Sequence, residues 1–423
     1  MVAPGAESSV PESPKVAAMT SAITLDTMRP AAGSTASAVM PTYQRAAVAF
    51  ARGEGCALFD TAGRRYLDFA AGIAVCALGH AHPRLVAALA EQAGRLWHCS
   101  NLYEITQQEK LAARLAALSF GELVFFGNSG AEANECAIKL ARRHHAAAGH
   151  PERWRVLAFE GSFHGRTLAT LAAAGNPKNL HFFGPAVLGF DHAPYGDLAA
   201  AERLVGPETA AILVEPIQGD GGVRVPPPGF LAGLRDLADR TDVLLMFDEV
   251  QTGIGRTGRL FAHQRLGVVP DVMTVAKALG GGFPIGACIA TRRAAKAMTA
   301  GSHASTFGGN PLAAAVGNAV LEIVGAPGFL DAVARAGAAL GHALDALVAR
   351  RPQVFEARRG IGLMQGLRCR VPSGDLVDRL REAGLLVAPA QDQVIRLLPP
   401  LIVTPAEIDE AAALLDQVAA TLA

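Results

Sequence analysis

Two charged residues stand directly behind apolar segments of this sequence, where strands of a parallel sheet would end. Asp248 follows "VLLMF" and Lys277 follows "DVMTVA". A carboxylate in that place is costly to bury without a cationic partner, so a positive group is expected to face Asp248. A single lysine often snorkels to the surface. Gly280, Gly281 and Gly282 favour another interpretation, because they leave bare backbone beside the amine for a bulky planar ligand.

A third group of interest is the turn Gly127-Asn-Ser-Gly-Ala131, which follows "LVFF" and opens the helical segment "EANECAIKLARRH". Small residues at a helix start offer free N–H groups and the positive end of the helix dipole, which together suit a phosphate. Serine and glycine are also ordinary helix caps. Taken alone, the turn leaves both interpretations open.

Asp248, Lys277 and a phosphate turn on one sheet are the three parts that pyridoxal phosphate chemistry requires. The carboxylate would keep the pyridine nitrogen protonated, the amine would form an imine, and the turn would anchor the phosphate. Other phosphate sites fit less well: "GGGFPIG" lacks the GK[ST] ending of a P-loop, and no G-x-G-x-x-G follows a first strand.

The histidines do not predict a metal site. His144 and His145 are adjacent on a predicted helix and so point in different directions, and the sequence contains no HExxH. We expect both side chains to be solvated and expect no metal cofactor.

Charge and composition exclude some functions. Lys plus Arg number 38 and Asp plus Glu number 38, so no net field attracts nucleic acid or an anionic membrane. Charged, Gly or Pro residues interrupt the apolar runs well before the ~18 residues of a membrane span, so no transmembrane helix is predicted. The six cysteines form no CxxC pair, which is typical of the reduced thiols of a cytosolic protein.

The segments between these groups predict an α/β fold. "CALF" and "RRYLDF" flank a turn at 60–63 and predict a hairpin. Further along, apolar runs alternate with helical stretches, which indicates a mostly parallel sheet with helices on both faces. The predicted strands are 123–126, 156–159, 211–214, 243–247, 272–275 and 287–290.

The same pattern predicts four regions. Residues 1–39, rich in Ala, Ser, Pro and Thr, are expected to be a disordered tail. Residues 40–84 would contribute to a small domain, 85–315 would form the large cofactor-binding domain, and 316–423 would form a small α+β domain with strands near 362–370 and 394–398 and a last helix from Pro405.

From about Met40 to the C-terminus the sequence resembles the class III, fold-type I aminotransferases that depend on pyridoxal phosphate, and most of all the acetylornithine aminotransferases. The matching motifs are "MPTYQR", "GEGCALFDTAGRRYLDFAAGIAVCALGHAHP", "HCSNLYE", "FFGNSGAEANECAIKLAR", "FHGRTLATL", "VEPIQGDGGV", "FDEVQTGIGRTG", "PDVMTVAKALGGGFPIGA", "HASTFGGNPLAAAV" and "VIRLLPPL".

The resemblance implies a role for each matching residue around the cofactor. Lys277 would carry the cofactor as a Schiff base and move the proton, and Asp248 would pair with the pyridinium nitrogen. Gln251 would bond the ring hydroxyl, and Phe163 would stack on the ring. The phosphate would be held by Ser129, Gly130 and Ala131. The protein would be a homodimer with its active site at the interface, and Thr306 of the other subunit would also hold the phosphate.

Two arginines are implied to bind carboxylates, for which the guanidinium offers a bidentate fork. Arg166, with Ser305 nearby, would bind the α-carboxylate of the donor or the distal carboxylate of glutamate. Arg396 would bind the α-carboxylate of glutamate or 2-oxoglutarate. Asp220 stands where the family usually has Glu, which is thought to pair with this arginine when no α-carboxylate is bound.

The expected reaction is transfer of the δ-amino group of N2-acetyl-L-ornithine to 2-oxoglutarate, a cytoplasmic step of arginine biosynthesis. Ornithine, 4-aminobutyrate, succinylornithine or a diamine could replace this donor, because enzymes for these amines share every cofactor motif. Three further hypotheses are an aminomutase, a decarboxylase and a non-catalytic pyridoxal phosphate-binding protein.

Overall fold

The short apolar segments become strands in the computed structural model, which describes residues 37–422. Their many β-branched and aromatic residues suit a buried, pleated backbone. In chain order the strands are β1 (Phe50–Glu54), β2 (Ala57–Asp60), β3 (Arg65–Asp68), β4 (Leu123–Gly127), β5 (Arg155–Phe159), β6 (Phe190–Ala193), β7 (Thr209–Val214), β8 (Leu244–Asp248), β9 (Val272–Val275), β10 (Gly286–Ala290), β11 (Phe355–Ile361), β12 (Met364–Cys369), β13 (Leu385–Leu386), β14 (Ala388–Ala390) and β15 (Val394–Leu397).

Helices connect these strands, and several begin at a capping side chain, such as Asn310 and Thr404. A 3₁₀ turn covers Lys277–Leu279. In chain order the helices are α1 (Ala71–Ala74), α2 (Pro83–Ala93), α3 (Thr106–Leu118), α4 (Gly130–Ala147), α5 (Leu168–Ala174), α6 (Pro177–Leu180), α7 (Leu198–Leu204), α8 (Phe230–Thr241), α9 (Ala262–Leu266), α10 (Arg292–Ala295), α11 (Pro311–Val324), α12 (Phe329–Arg350), α13 (Ser373–Ala383) and α14 (Pro405–Ala420). Of these, α1 is a left-handed turn with positive φ at all four residues.

The central sheet has seven strands in the order β4-β10-β9-β8-β7-β5-β6. Strands β5 to β9 pair in parallel, and β10 runs antiparallel to both of its neighbours. The predicted mostly parallel sheet is therefore confirmed, and so is each of its six predicted strands. The sequence analysis missed β6, whose "FDHA" is too polar and too short to stand out.

Side chains of the central strands are buried on both faces of the sheet. On β7, Ala211 and Leu213 pack into a core with α4, whereas Ile212 and Val214 pack into a second core with α8. Because alternate residues of a strand point to opposite faces, a run with no polar residue is expected for such a strand. The sheet thus forms the rigid layer from which the functional residues project.

Two smaller sheets flank this layer, in the orders β1-β2-β3-β13 and β11-β12-β15-β14. The predicted hairpin is confirmed as β2 and β3, joined by the turn at Asp60. We propose that residues 40–84 belong to the small domain with 316–423 and that 85–315 form the large domain. The parallel pairing of Leu67 in β3 with Leu385 in β13 supports this division.

Of the predicted tail, residues 1–36 lie outside the described residues, and residues 37–48 contain no helix or strand. From Ala49 onwards, the described chain forms one unit by its own contacts.

Helix α12 is, within residues 37–422, the one helix long and apolar enough to cross a membrane by length and composition alone. Its buried residues Val333, Leu340, Leu344 and Leu347 recur at helical spacing, and it packs against α14 and β11. This one-sided burial is typical of an amphipathic helix that covers a protein core.

The histidine pair on α4 corrects one expectation. His145 is buried, and its Nε2 donates to the carbonyl of Ala210 at 2.9 Å. Burial, together with the charge of Arg153, lowers the pKa of His145 to about 4, so its ring is neutral. The prediction that both side chains are solvated is wrong for His145, because α4 turns that face onto the sheet.

Candidate active site

A cavity of about 400 Å³ opens at the carboxyl ends of the central strands. Its wall comes from the segments that follow β4, β5, β8 and β9, as expected for ligand sites of parallel sheets. Seven of the predicted site residues lie in this wall: Ser129, Gly130, Ala131, Phe163, Arg166, Asp248 and Lys277. The carboxylate, the amine and the helix-opening turn therefore share one cleft.

The carboxylate of Asp248 is buried and held by three donors. Its Oδ2 accepts from Nδ1 of His164 at 2.7 Å and from Nδ2 of Asn134 at 2.8 Å. Its Oδ1 accepts from the backbone N–H of Val250 at 3.0 Å. Asn134 is itself fixed, since its Oδ1 accepts from Thr274 at 2.7 Å. These donors fix the direction of the carboxylate.

Lys277 begins the 3₁₀ turn directly after β9 and has a φ of 44°, in the left-handed region. Such a conformation is strained for a residue with a side chain and is often found at functional sites. Burial, and next the positive charge of Arg396, lower the pKa of the Lys277 amine to about 8. The carboxylates of Asp220 and Asp248 act against this shift. A lysine poised near neutral pH suits transfer of a proton.

The turn before α4 presents free backbone donors to the cavity. The side chain of Ser129 caps the helix by accepting from the N–H of Glu132 at 3.2 Å. The N–H groups of Gly130 and Ala131, in the first turn, have no acceptor among the described residues, which suits an anion. A Cβ on Gly130 would lie 2.8 Å from Cγ1 of Val250, so the close cover of this turn requires glycine.

Phe163 and Arg166 lie on the loop after β5. The backbone N–H of Phe163 donates to Oε2 of Glu215 at 3.0 Å, and its ring centroid lies 5.4 Å from Cζ of Arg166. Arg166 is exposed, and Nη1 donates to Oδ1 of Asn179 at 3.2 Å. No carboxylate of a described residue pairs with Arg166, so its guanidinium is available to a ligand.

The second predicted arginine, Arg396 on β15, is buried beside the cavity. Its Nη1 lies 2.9 Å from Oδ1 of Asp220 and 3.4 Å from Oε1 of Gln251, while Nη2 donates to the carbonyl of Pro389 at 2.8 Å. Gln251, Asp220 and Arg396 are not part of the cavity wall itself. The charges of Arg396 and Asp220 act on the Lys277 amine, which indicates that the pair lies close to it.

Ser305 and Thr306 lie on a different surface. Both line a second cavity of about 980 Å³ that contains none of the wall residues around Lys277. Ser305 reaches the first cavity indirectly, because its Oγ accepts from Nδ2 of Asn128 at 3.4 Å and Asn128 lines that cavity. Thr306 is exposed. Its role in a neighbouring subunit stays a prediction.

Comparison with known proteins bears on what this arrangement does. Residues 38–419 match the family model described as aminotransferase class-III. The acetylornithine aminotransferase of Agrobacterium fabrum is 56% identical over 387 residues, which cover 92% of this chain and 97% of that relative. The chain belongs to the class III aminotransferases.

Solved structures of the class agree with the fold. The ornithine aminotransferase of Toxoplasma gondii, described with partial occupancy of PLP at its active site, has a TM-score of 0.87 and 34% identity, covering 91% of this chain and 92% of that chain. The N-acetylornithine aminotransferase of Stenotrophomonas maltophilia has a TM-score of 0.79 and 40% identity, covering 90% of this chain and 97% of that chain. These are fold-type I enzymes, so the expected fold class is confirmed.

Class III aminotransferases depend on pyridoxal phosphate, and the residues around the cavity fit that cofactor. Asp248 provides a fixed carboxylate, Lys277 a buried amine, and the turn at 129–131 free N–H groups at a helix start. These donors match, in kind, the ring nitrogen, aldehyde and phosphate of pyridoxal phosphate.

Three further residues of this class III site were missed by the sequence analysis: Asn134, His164 and Glu215. Asn134 and His164 hold Asp248, and Glu215 is buried. Burial raises the pKa of Glu215 to about 7, against the opposing charge of His164. Its two oxygens accept from the N–H groups of Phe163 and Gly219, so it ties together two loops of the site. Glu215 directly follows the apolar run of β7, which was an available signal, whereas no local pattern marks Asn134 or His164.

Proposed function

We propose that this class III aminotransferase transfers the δ-amino group of N2-acetyl-L-ornithine to 2-oxoglutarate, giving N-acetylglutamate 5-semialdehyde and glutamate. We further propose that it acts as a homodimer in the cytoplasm, in arginine biosynthesis. The observation that carries the choice of donor is the high identity, over nearly the whole length of both chains, to relatives named for acetylornithine. The ornithine aminotransferase of Toxoplasma gondii is 34% identical.

The two arginines support a pair of substrates that differ in their number of carboxylates. N2-acetyl-L-ornithine has one carboxylate, which would be bound by the exposed Arg166, since no carboxylate of a described residue pairs with it. Glutamate has two, so that Arg166 would bind the distal group and Arg396 the α-carboxylate. While the donor is bound, Asp220 would keep Arg396 neutralised, since a buried guanidinium without a partner is costly.

The chemistry of the remaining residues follows from their positions. Pyridoxal phosphate, when bound, supplies a ring that accepts electrons and so acidifies the C–H bond beside the substrate nitrogen. Asp248 would hold the positive charge at the ring nitrogen, and Phe163 would cover one face of the ring. Lys277 would carry the cofactor and, once its amine is free, would take and return the proton. Gln251 would bond the ring hydroxyl.

Exposed apolar residues around Thr306 support a dimer. Leu102 is 86% exposed, Tyr103 is 70% exposed and Phe307 is 58% exposed. Their two segments are adjacent, because Nδ2 of Asn101 donates to the carbonyl of Ser305 at 3.0 Å. Large apolar side chains grouped on a surface are typical of protein interfaces. In the dimer we propose, Thr306 would complete the phosphate site of the other subunit.

A panel of amino donors tests this function. With 2-oxoglutarate as acceptor, kcat/KM is measured for N2-acetyl-L-ornithine, ornithine, succinylornithine and 4-aminobutyrate. We expect the highest value for N2-acetyl-L-ornithine, and a higher value for any other donor would contradict the proposed substrate.

Lys277→Ala serves as the control. This variant should bind the cofactor loosely and show no turnover, so repeated turnovers in it would contradict the role of Lys277.

A further inference from the structure

A third cavity, of about 570 Å³, lies apart from the active site and is lined by Tyr195, Arg224, Val225, Pro227, Arg358, Arg359, Gly360 and Ile361. None of these residues lines the cavity around Lys277. Three of them are arginines, and none is acidic. We call this space the arginine cavity.

The charges around the arginine cavity are only partly balanced. Arg358 donates through Nε to Asp345 at 2.7 Å, and Arg359 donates through Nη2 to Asp392 at 2.7 Å. Within the described part of the chain, Arg224 forms no salt bridge and no side chain or carbonyl accepts from its guanidinium, although Asp392 is near enough for its carboxylate to interact with the charge of Arg224. A half-buried guanidinium with its five N–H donors free, in a cavity whose wall also includes Arg359, suits a carboxylate or a phosphate.

The arginine cavity also borders the loop that carries Asp220. Arg224 ends this loop, and its backbone pairs with that of Gln218 through two hydrogen bonds of 2.9 and 3.0 Å. Arg359 donates through Nη1 to the carbonyl of Gly222 at 3.1 Å. A ligand that draws Arg359 or Arg224 toward itself therefore changes contacts that hold the loop.

A second set of contacts connects the same arginines to Asp220. The N–H of Gln391 donates to the carbonyl of Asp220 at 2.9 Å, and the next residue, Asp392, is the partner of Arg359. Gly222, Val223 and Asp392 all have positive φ, so both segments are held in conformations that depend on their contacts.

We propose that the arginine cavity binds a small oxyanion, a carboxylate or a phosphate, and that its occupancy alters the pairing of Asp220 with Arg396. The binding step is independent of the proposed function. Its effect on Arg396 rests on that function, because it presumes that Arg396 binds the α-carboxylate of glutamate.

Calorimetric titration of the holoenzyme tests the binding step. Bound cofactor fills the phosphate site at 129–131, so inorganic phosphate is used as one probe and succinate as the other. We expect Arg224→Gln to weaken binding of at least one probe by about tenfold or more, as loss of a charge-assisted contact predicts. Tighter binding of phosphate than of succinate assigns the cavity to phosphates, and the reverse order assigns it to carboxylates.

Two matched variants complete the binding test. Arg379→Gln removes an exposed arginine of α13 outside the cavity and should leave both dissociation constants unchanged. Arg224→Lys keeps the charge but loses the bidentate fork, so it should also weaken binding and serves as the second variant if Arg224→Gln does not fold. The absence of binding at millimolar concentration, or equal weakening by Arg379→Gln, would each overturn the site.

Kinetics test the effect on Asp220. The KM for glutamate is measured with and without the bound probe, in the wild type and in Arg224→Gln. We expect the probe to change KM severalfold in the wild type only. An unchanged KM in the presence of measured binding would overturn the connection to Asp220. It would leave the proposed function intact, because the donor panel tests that function separately.

Discussion

Oδ1 of Asp220 lies 2.9 Å from Nη1 of Arg396, yet only 3% of the Arg396 side chain is exposed, compared with 36% of the Asp220 side chain. The two partners are therefore unequal. Asp220 can turn toward water at little cost, whereas Arg396, held also by the carbonyl of Pro389, stays in place. In the proposed function, a ligand carboxylate would replace the carboxylate of Asp220 without moving the guanidinium.

The first prediction concerns this exchange. Asp220→Ala should lower the KM for glutamate by up to about fivefold, because the α-carboxylate no longer competes with a protein carboxylate for Arg396, and a partly exposed ion pair is worth about 1 kcal/mol or less. Asp220→Glu keeps the pair and should stay near the wild type. Steady-state kinetics with glutamate as donor measure both variants.

The matched control for Asp220→Ala is Asp378→Ala. Asp378 is an exposed carboxylate on α13 that pairs with Arg381, far along the chain from the site residues. The Asp378→Ala variant should leave the KM for glutamate unchanged. If Asp220→Ala gives no change or raises KM, then Asp220 does not compete with the substrate.

The second prediction concerns His164, which we interpret as a positioning residue for Asp248. His164→Leu removes one of the three donors to the carboxylate, and we expect cofactor affinity and kcat each to fall about tenfold, as for one hydrogen bond to a charged group. Asp248→Asn removes the charge itself and should lower kcat on the order of 100-fold or more. Cofactor absorbance measures the affinity, and single-turnover rates measure the chemistry.

A conservative variant separates positioning from simple loss of packing. His164→Asn carries an N–H donor the same number of bonds from the backbone as Nδ1, so it should recover much of the affinity and rate lost in His164→Leu. Equal losses in the two variants would mean that the ring volume, rather than the hydrogen bond to Asp248, accounts for the effect.

Much of this site follows from a single regularity of the sequence. Asp248, Lys277 and the turn at 129–131 each follow an apolar run, and the carboxyl ends of parallel strands meet at one edge of the sheet. The sequence pattern alone could not find His164, because its partner Asp248 is distant in sequence. Glu215 does follow the apolar run of β7, but its partner Phe163 comes close only when β5 and β7 pair.

The pairing of Asp220 with Arg396 was inferred from family resemblance rather than from spacing. Its two residues stand 176 positions apart (396 minus 220), with Asp220 in a turn after β7 and Arg396 on β15. Likewise, nothing in the spacing of His145 distinguishes a solvated helix position from one that faces the sheet. Which face of α4 is buried depends on tertiary packing, and the mixed apolar and polar residues of "CAIKLARRHH" do not settle it.

The third prediction uses the pKa of Lys277 in the cofactor-free protein. Its folded-state value of about 8 lies below the ordinary 10.5 of the unfolded chain. Between these values the unfolded chain holds more protons, so the free energy of unfolding should rise with pH across this window. Below pH 8 both states are charged, and the folded state bears the full cost of the buried ammonium.

Lys277→Met lacks this titration. The variant should be more stable than the wild type below pH 8, by up to about 3 kcal/mol, and the difference should shrink as the pH approaches 10.5. Urea unfolding of the cofactor-free proteins at pH 7, 8, 9 and 10 measures this difference in the free energy of unfolding. Lys178→Met, at an exposed lysine of α6, is the control and should follow the wild type at every pH. A constant difference between Lys277→Met and the wild type from pH 7 to 10 would show that the amine is not desolvated in the folded chain.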